Sequence, residues 1–486
     1  MDFKQWQGFQ GDTWRQEINV RNFIKKNYSP YLDGPEFLCG PTERTQKSME
    51  KLNALLKKEM ENGGVLDIDV SKTTTLTSHA PGYLDKETDV IVGLQTDEPL
   101  KRAVNPFGGM RMARSACKAY GYEVSDTIEE EFRYTKTHND GVFSIYTDEI
   151  KALRHCALLT GLPDAYGRGR IIGDYRRIAL YGVDYLIANK MGDKAYYGKK
   201  PMTFENMRNL EELHDQIKAL EDLKKMAASY GYDISMPASN AREAIQWTYF
   251  GYLGANKEQN GAAMSFGRCS TFFDIYIEKD IKEGKLTEEE AQELIDDLVI
   301  KLRMARHLRT PEYNELFGGD PMWITECVGG MGETHKTLVT KTSYRMLNTL
   351  YNLGPAPEPN LTVLWSEALP TAFKKFCAKV SIDTASIQYE NDDLMRPIFG
   401  DDYAIACCVS AMKVGKQTQL FGARTNLAKL LLLAINGGVD NMFGTCVGPK
   451  MPVMDDMYLD YEKVYDRFKV YLAWLCEAYV KTMNII

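Results

Sequence analysis

Apolar residues recur at helical spacing in three long stretches of the chain. Each stretch places its apolar side chains on one stripe, which predicts an amphipathic helix. The predicted helices cover residues 42–63, run from the capping box Thr287-Glu288-Glu289-Glu290 towards Arg309, and cover residues 461–480. Residues 190–220 form the most polar stretch, and we expect a surface excursion there.

Short β-rich runs alternate with the helical stretches. The candidate strands are residues 361–365, 387–389 and 403–409. Helices that alternate with short strands are typical of an α/β protein with a largely parallel sheet. The chain shows no internal repeat and no low-complexity segment.

Composition excludes several classes of function. The 486 residues carry a net charge of −8, which argues against nucleic-acid binding. No apolar run is long enough to cross a membrane, and the N-terminal residues do not form a signal peptide. The ten cysteines include no Cys-x-x-Cys pair, so we expect no metal site and read them as reduced thiols of a cytoplasmic protein.

The adjacent cysteines Cys407 and Cys408 are the main candidates for chemistry. Consecutive Cα atoms lie about 3.8 Å apart, whereas relaxed disulfides need roughly 4.4–6.8 Å, so we expect two thiols. In an extended run over residues 403–409 the two side chains would point to opposite faces. The alternative is that both pack as small apolar residues, as buried cysteines usually do.

Two arginines are candidate anchors for a carboxylate. Arg170 closes the glycine-rich run Gly167-Arg168-Gly169-Arg170, and Arg424 should lie near the start of an apolar helix that should be buried and should stop at Asn436. The planar guanidinium binds a carboxylate through two parallel hydrogen bonds. The alternative for each arginine is an ordinary surface charge.

Five motifs together resemble pyruvate formate-lyase (formate acetyltransferase), a family of glycyl radical enzymes. They are the segments at residues 161–175, 260–268, 406–409, 419–424 and 434–440. The resemblance extends from about Trp14 to Ile486. Related glycyl radical dehydratases carry Cys-x-Glu at the active site, whereas Val409-Ser410 follows the pair here, which favours the lyase branch.

The resemblance implies a barrel of ten strands made from two half-sheets, with the cysteine loop in the middle. Residues 1–486 would form the catalytic core, with the first half-sheet, the cysteine loop and the surrounding helices. The family's radical motif, Arg-Val-Ser-Gly-Tyr, does not occur in this sequence. We therefore expect the second half-sheet and the glycyl radical domain to lie outside the chain.

The resemblance also implies a reaction, in which pyruvate and coenzyme A give acetyl-CoA and formate. Cys407 would attack the substrate and hold the acetyl group, and Cys408 would relay the radical. The implied substrate-binding residues are Arg170, Arg424, Ala262, Phe317, Trp323 and Phe421. The aromatic residues and Ala262 could equally be ordinary core.

The expected partners follow from the missing radical motif. A separate polypeptide would supply the glycyl radical, and a radical S-adenosylmethionine activase would install it. No cofactor is expected within this chain, and a homodimer is left open. Two alternatives remain: a catalytically incomplete fragment or scaffold, and a lyase for another 2-oxo acid such as 2-oxobutyrate.

Overall fold

The computed structural model describes residues 19–162, 170–259, 261–311, 321–419, 423–454 and 458–485, with the backbone alone at Phe107, Arg170, Thr418 and Gln419. The chain divides into two compact units. The first comprises residues 1–105, 113–128 and 170–418. The second comprises residues 106–112, 129–169 and 419–486.

Helices account for most of the described residues. They are α1 Val20–Asn27, α2 Glu43–Glu61, α3 Met110–Ala119, α4 Asp126–Glu131, α5 His138–Ile145, α6 Asp148–His155, α7 Arg176–Tyr181, α8 Val183–Tyr197, α9 Phe204–Ser229, α10 Ala241–Gln259, α11 Ser270–Lys282, α12 Glu288–Met304, α13 Lys341–Asn352, α14 Thr371–Thr384, α15 Asp392–Phe399, α16 Leu427–Ile435 and α17 Tyr461–Ile485, with a 3₁₀ turn at Pro106–Gly108. Within the described ranges, none of these helices is both long and apolar enough to span a bilayer.

The strands are short. They are β1 Ile68–Thr73, β2 Arg102–Val104, β3 Leu159–Thr160, β4 Arg170–Ile171, β5 Thr325–Gly329, β6 Asn360–Trp365, β7 Ile387–Asn391, β8 Tyr403–Ala406, β9 Ser410–Lys413, β10 Thr418–Gln419 and β11 Arg424–Thr425. The strands predicted at residues 361–365 and 387–389 are confirmed as β6 and β7. The strand predicted over residues 403–409 ends early, at Ala406.

Local capping explains where the predicted helices begin. The Thr42 side chain accepts the N–H of Thr45 and starts α2. Thr287 and Glu290 form the predicted capping box of α12, which ends at Met304, five residues before the predicted end. The third predicted helix is confirmed as α17.

The polar stretch at residues 190–220 is more ordered than a surface excursion. Most of it lies within α8 and α9, which pack against each other, and residues 198–203 connect them. Val183 and Leu186 of α8, with Leu213 and Ile217 of α9, are buried, while most of the remaining side chains are exposed or half-buried. The high polarity therefore reflects a largely solvated helix pair.

A parallel sheet lies at the centre of the first unit. β5, β6 and β7 pair in parallel and in that order. Helix α13 connects β5 to β6, and α14 connects β6 to β7, as parallel pairing requires. Parallel bridges from Gly267 to Glu326 and from Ile171 to Met264 extend the row to β4. The largely parallel α/β sheet is confirmed.

The two faces of β5 are covered differently, because side chains alternate along a strand. Glu326 faces the start of α11 and accepts the N–H groups of Cys269 and Ser270 at 2.7 and 3.1 Å. Burial raises the pKa of Glu326 to about 8, although these hydrogen bonds oppose the rise. On the other face, the Cys327 Sγ accepts the N–H of Ile405 in β8 at 3.2 Å. The β8–β9 hairpin therefore lies on the face opposite α11.

The second unit has its own apolar core. Leu430, Leu433 and Ala434 of α16 pack with Tyr471 and Leu475 of α17. Strands β3 and β11 pair antiparallel in the same unit.

We expect Lys301→Met to destabilise the first unit by about 3–5 kcal/mol, the usual effect of breaking a buried ion pair. Lys301 is fully buried between Asp89 at 2.8 Å and Asp297 at 3.4 Å. Burial raises the pKa of Asp297, and Lys301 opposes that rise. Without the lysine, the folded state should hold a proton on the Asp297 carboxyl group. The lost stability should therefore recover partly from about pH 7 to about pH 5, because stability falls as pH rises through a raised folded pKa.

Urea unfolding at the two pH values checks this expectation. The matched control is Lys47→Met, because Lys47 is exposed and pairs with Glu43 on the same helix. That variant should change the free energy of unfolding by less than about 1 kcal/mol. An equal loss at both pH values for Lys301→Met would contradict the pH argument.

Candidate active site

The two adjacent cysteines lie at the tip of the β8–β9 hairpin. The antiparallel ladder closes with Ala406 opposite Ser410, and residues 407–409 form the turn. Cys407 adopts a left-handed backbone conformation with φ of 61°. This conformation costs a non-glycine residue about 1–3 kcal/mol, so the surrounding contacts must hold the turn.

The turn brings the two sulfur atoms together. The two Sγ atoms, of Cys407 and Cys408, are 3.7 Å apart, within reach of a weak hydrogen bond between the thiols. The prediction that the side chains point to opposite faces is therefore wrong, because the chain is not extended at Cys407. The two residues still differ in solvent exposure, since Cys407 is only 7% exposed and Cys408 is exposed. Neither forms a disulfide.

Three side chains from the sheet hold the tip of the hairpin. The Ser265 hydroxyl accepts the N–H of Cys407 at 2.9 Å. The Thr325 hydroxyl donates to the carbonyl of Cys407, and the Gln388 amide donates to the carbonyl of Cys408. Peptide groups on both sides of the strained residue are therefore fixed by side chains, which compensates for the left-handed backbone.

An apolar wall surrounds the buried thiol. Ala262 and Ala263 pack with Cys407, and Trp323 packs against this group. The Arg309 guanidinium lies over the indole of Trp323, 4.9 Å from the ring centre, and its Nε is 2.5 Å from Nε2 of His307. A cation is thus present beside the small apolar cluster around Cys407.

The buried carboxyl group of Glu358 binds the backbone around Trp323. Glu358 accepts the N–H of Ile324 at 3.0 Å. Burial raises the pKa of Glu358 to about 7, while nearby Arg306 and the backbone donors of Trp323 and Met322 oppose the rise. These bonds stabilise a turn in which Trp323 has a φ of 52°.

The structure brings together part of the predicted site. Ala262, Trp323 and Cys407 lie in one cluster, and Cys408 contacts Cys407. Arg170 begins β4, one residue before the bridge to the Met264 segment, and its side chain lies outside the description. Phe317 and Phe421 lie outside the described residues, so their roles remain predictions.

Arg424 belongs to the second unit. It lies in β11 opposite Thr160 of β3, with an exposed side chain. The prediction that Arg424 opens the apolar helix is wrong, because α16 begins only after its N-cap Asn426. The prediction of a fully buried helix there is wrong, because Leu431 and Leu432 are 39% and 54% exposed. The predicted stop is confirmed, since Asn436 is the C-cap. The role of Arg424 remains a prediction.

Sequence reasoning missed the residues that hold the hairpin. Ser265, Thr325 and Gln388 are ordinary polar residues in strand-like runs. Ser265 lies 142 residues from its partner Cys407. The available signal for Ser265 was its position inside the motif at residues 260–268.

The arrangement allows a hydrogen atom to pass between two sulfurs. Since the two sulfur atoms are 3.7 Å apart, transfer between them needs no intervening group. The Cys407 side chain packs in the apolar cluster with Ala262 and Ala263, whereas Cys408 is exposed. The pair can therefore connect a protected reaction centre to a partner that approaches from solvent.

Comparison with known proteins identifies close relatives. The profile of the family described as pyruvate formate lyase-like matches residues 11–486. Formate acetyltransferase of Haemophilus influenzae is 58% identical over 99% of this chain and 63% of its own length. Formate acetyltransferase 1 of Escherichia coli is 57% identical over 99% of this chain and 64% of its own length. The chain thus spans just under two thirds of these relatives.

Solved structures share the fold at much lower identity. The glycerol-bound B12-independent glycerol dehydratase of Clostridium butyricum matches with a TM-score of 0.74 and 21% identity, over 92% of this chain and 64% of that one. A glycyl radical enzyme of Archaeoglobus fulgidus matches with a TM-score of 0.65 and 17% identity, over 96% and 64% respectively. The predicted fold, the first half of the glycyl radical enzyme barrel with its cysteine loop, is confirmed.

We expect iodoacetamide to alkylate Cys408 faster than Cys407 in the folded protein. The reagent needs an accessible thiolate, and of these two cysteines Cys408 is exposed and Cys407 is buried. Fragment-ion mass spectrometry of the peptide that contains both residues separates the two sites. Exposed Cys446 is an internal reference for reagent access. Equal rates at Cys407 and Cys408 would show that the apolar cluster around Cys407 does not protect this thiol from the reagent.

Proposed function

This chain belongs to the pyruvate formate lyase-like family, and we propose that it is the catalytic core of a formate C-acetyltransferase. The reaction would convert pyruvate and coenzyme A to acetyl-CoA and formate. The observation that carries this proposal is the contact of a buried and an exposed thiol, 3.7 Å apart, at the tip of a hairpin.

The chemistry requires a radical. Two-electron cleavage of pyruvate between its carbonyl carbon and its carboxylate would leave an unstabilised acyl carbanion, which normally needs an electron sink. A thiyl radical on Cys407 can add to the carbonyl carbon instead. The carbon–carbon bond then breaks homolytically, and the acetyl group stays on the Cys407 sulfur as a thioester. The thiol of coenzyme A takes over the acetyl group and restores the Cys407 thiol.

Cys408 has two tasks in this scheme. It receives the radical at its exposed sulfur and removes the hydrogen atom from Cys407, whose sulfur lies 3.7 Å away. The departing carboxylate carries the unpaired electron and needs one hydrogen atom to become formate, and the Cys408 thiol can supply it. The contact between the sulfurs supports the relay better than opposite faces of a strand would.

The substrate would be held by both cationic and apolar groups. We assign the carboxylate of the 2-oxo acid to Arg170 and Arg424, because a guanidinium binds a carboxylate in a bidentate manner. Ala262 and Trp323 would contact the methyl group, together with Phe317 and Phe421. Contact with the small apolar cluster around Cys407 would favour pyruvate, and 2-oxobutyrate differs by one methylene, which apolar contacts distinguish only modestly.

The radical would come from polypeptide outside these 486 residues. The sequence contains no Arg-Val-Ser-Gly-Tyr motif. We propose that residues 1–486 supply the first half-sheet and the cysteine hairpin. A glycyl-radical-bearing partner would supply the rest, and a radical S-adenosylmethionine activating enzyme would generate the radical.

We expect the purified chain alone to release no formate from pyruvate and coenzyme A. Formate should appear only when a glycyl radical polypeptide and its activating enzyme are added without oxygen. Isotope-labelled pyruvate and detection of labelled formate measure the activity. Assays with 2-oxobutyrate in parallel determine the substrate preference.

Two outcomes would overturn the proposal. Formate release by the chain alone would remove the need for a partner. A folded complex that carries the glycyl radical and still cleaves no 2-oxo acid would favour the incomplete fragment or scaffold.

We expect Cys407→Ser and Cys408→Ser to fail differently in the radical-bearing complex. An O–H bond is much harder to break homolytically than an S–H bond, so neither serine can carry the radical. Cys407→Ser should abolish acetylation of the protein by pyruvate and leave Cys408 able to exchange hydrogen with the glycine. Cys408→Ser should abolish both.

Electron paramagnetic resonance in deuterated solvent follows hydrogen exchange at the glycine. Mass spectrometry follows acetylation in the same samples. If exchange persists in Cys408→Ser and disappears in Cys407→Ser, the two roles are reversed.

A further inference from the structure

A buried arginine lies at the stem of the cysteine hairpin. Asp402 directly precedes β8, and both of its carboxylate oxygens accept hydrogen bonds from Arg176, each at 3.0 Å. The Arg176 side chain is only 1% exposed. An arginine buried to this degree needs its hydrogen bonds satisfied, and here the fork geometry of the guanidinium matches the carboxylate of Asp402.

The same guanidinium also binds two other segments of the candidate site. Its Nε donates to Asp174 at 2.7 Å, at the end of the segment that begins with Arg170. Its Nη1 donates to the carbonyl of Arg268 at 3.1 Å, at the end of the segment that contains Ala262. One side chain therefore connects the hairpin to two strand segments that carry predicted substrate contacts.

The backbone near the hairpin is packed closely at the same place. The N–H of Gly415, just after β9, donates to the carbonyl of Ile172 at 2.8 Å. Gly415 has a φ of 67°, and a Cβ there would lie 2.7 Å from the Cβ of Asp174. The hairpin and the Arg170 segment are therefore in direct contact, without room for a side chain.

A second arginine holds the neighbouring residue. Arg268 donates from Nη1 to the carbonyl of Asp401 at 2.7 Å, and its Nη2 donates to the carbonyl of Gly329 at the end of β5. The Asp401 carboxylate is buried, accepts the N–H of Glu333 at 2.9 Å and pairs with Arg21 of α1. The Asp401-Asp402 pair is thus held from several sides.

Lysine could not replace Arg176 in this position. Its ammonium is a point charge with three donors, whereas the guanidinium places five donors in one plane. The three groups bound by Arg176 lie around the plane of that fork. Substitution by lysine would keep the positive charge but could not maintain the hydrogen bonds to Asp174, Asp402 and the Arg268 carbonyl at the same time.

We propose that Arg176 is a positioning residue that fixes the cysteine hairpin relative to the segments carrying Arg170 and Ala262. The consequence for catalysis rests on the proposed function. A shift of the hairpin stem would move the buried Cys407 sulfur away from Ala262 and Ala263, with which it packs. The effect of Arg176 on the position of the hairpin can be tested in this chain without any partner.

The test compares the iodoacetamide alkylation rates of Cys407 and Cys408 in Arg176→Lys and in the unmodified chain. We expect the ratio of the Cys408 rate to the Cys407 rate to fall at least about tenfold towards one, the factor expected when a charge-assisted hydrogen bond is lost. Asp402→Asn is the second variant. It keeps the shape of the side chain and removes the charge, so the ratio should fall in the same direction while the fold is retained.

Arg345→Lys is the matched control. Arg345 is also 1% exposed and contacts three carboxylates, those of Asp274, Glu278 and Glu288. These residues connect α11, α12 and α13, and none of them lies on the cysteine hairpin or on the segments that Arg176 binds. This variant should lower the urea midpoint as Arg176→Lys does, and should leave the alkylation ratio unchanged.

Two results would overturn the proposal. One is an unchanged ratio in Asp402→Asn and in folded Arg176→Lys. The other is an equal fall in Arg345→Lys, which would trace the effect to general stability. Neither result depends on formate release, so failure of the positioning role and failure of the proposed reaction are distinguishable.

Discussion

Side-chain hydrogen bonds between a hairpin and a parallel sheet determine where the two thiols lie. Ser265 and Thr325 bind the peptide groups of Cys407, and Gln388 binds the carbonyl of Cys408. These bonds stabilise a left-handed residue at the tip, which would otherwise relax to an extended conformation. The distance between the sulfur atoms depends on that conformation. The sheet therefore acts on the chemistry through polar contacts to the hairpin backbone.

Buried charge is concentrated where segments distant in sequence meet. Arg176 and Asp402 are 226 residues apart in sequence and form a bidentate pair. A buried ion pair contributes little net stability compared with apolar packing, and its geometry can select one arrangement over others. In this fold the selected arrangement is the register of the hairpin stem against the sheet. The apolar core, by contrast, tolerates substitutions of similar volume.

The two units place the candidate residues in different settings. Cys407, Cys408, Ala262 and Trp323 belong to the first unit, in which strand β5 of the parallel sheet is fully buried. Arg424 lies in the second unit on a short antiparallel pair. Helix α16, which follows that strand, is apolar nearly throughout, yet Leu431 and Leu432 are exposed. The apolar run therefore predicts the helix and its C-terminal end, but it does not predict which of its side chains are exposed.

The sequence alone determined the features that depend on neighbours in the chain. Capping residues set the starts of α2 and α12, β-rich runs gave β6 and β7, and the adjacent cysteines implied two thiols, because each signal acts within a few residues. Only the tertiary structure decided the direction of those thiols. The turn at Cys407 depends on bonds to Ser265, Thr325 and Gln388, and such long-range pairs leave no periodic trace in the sequence.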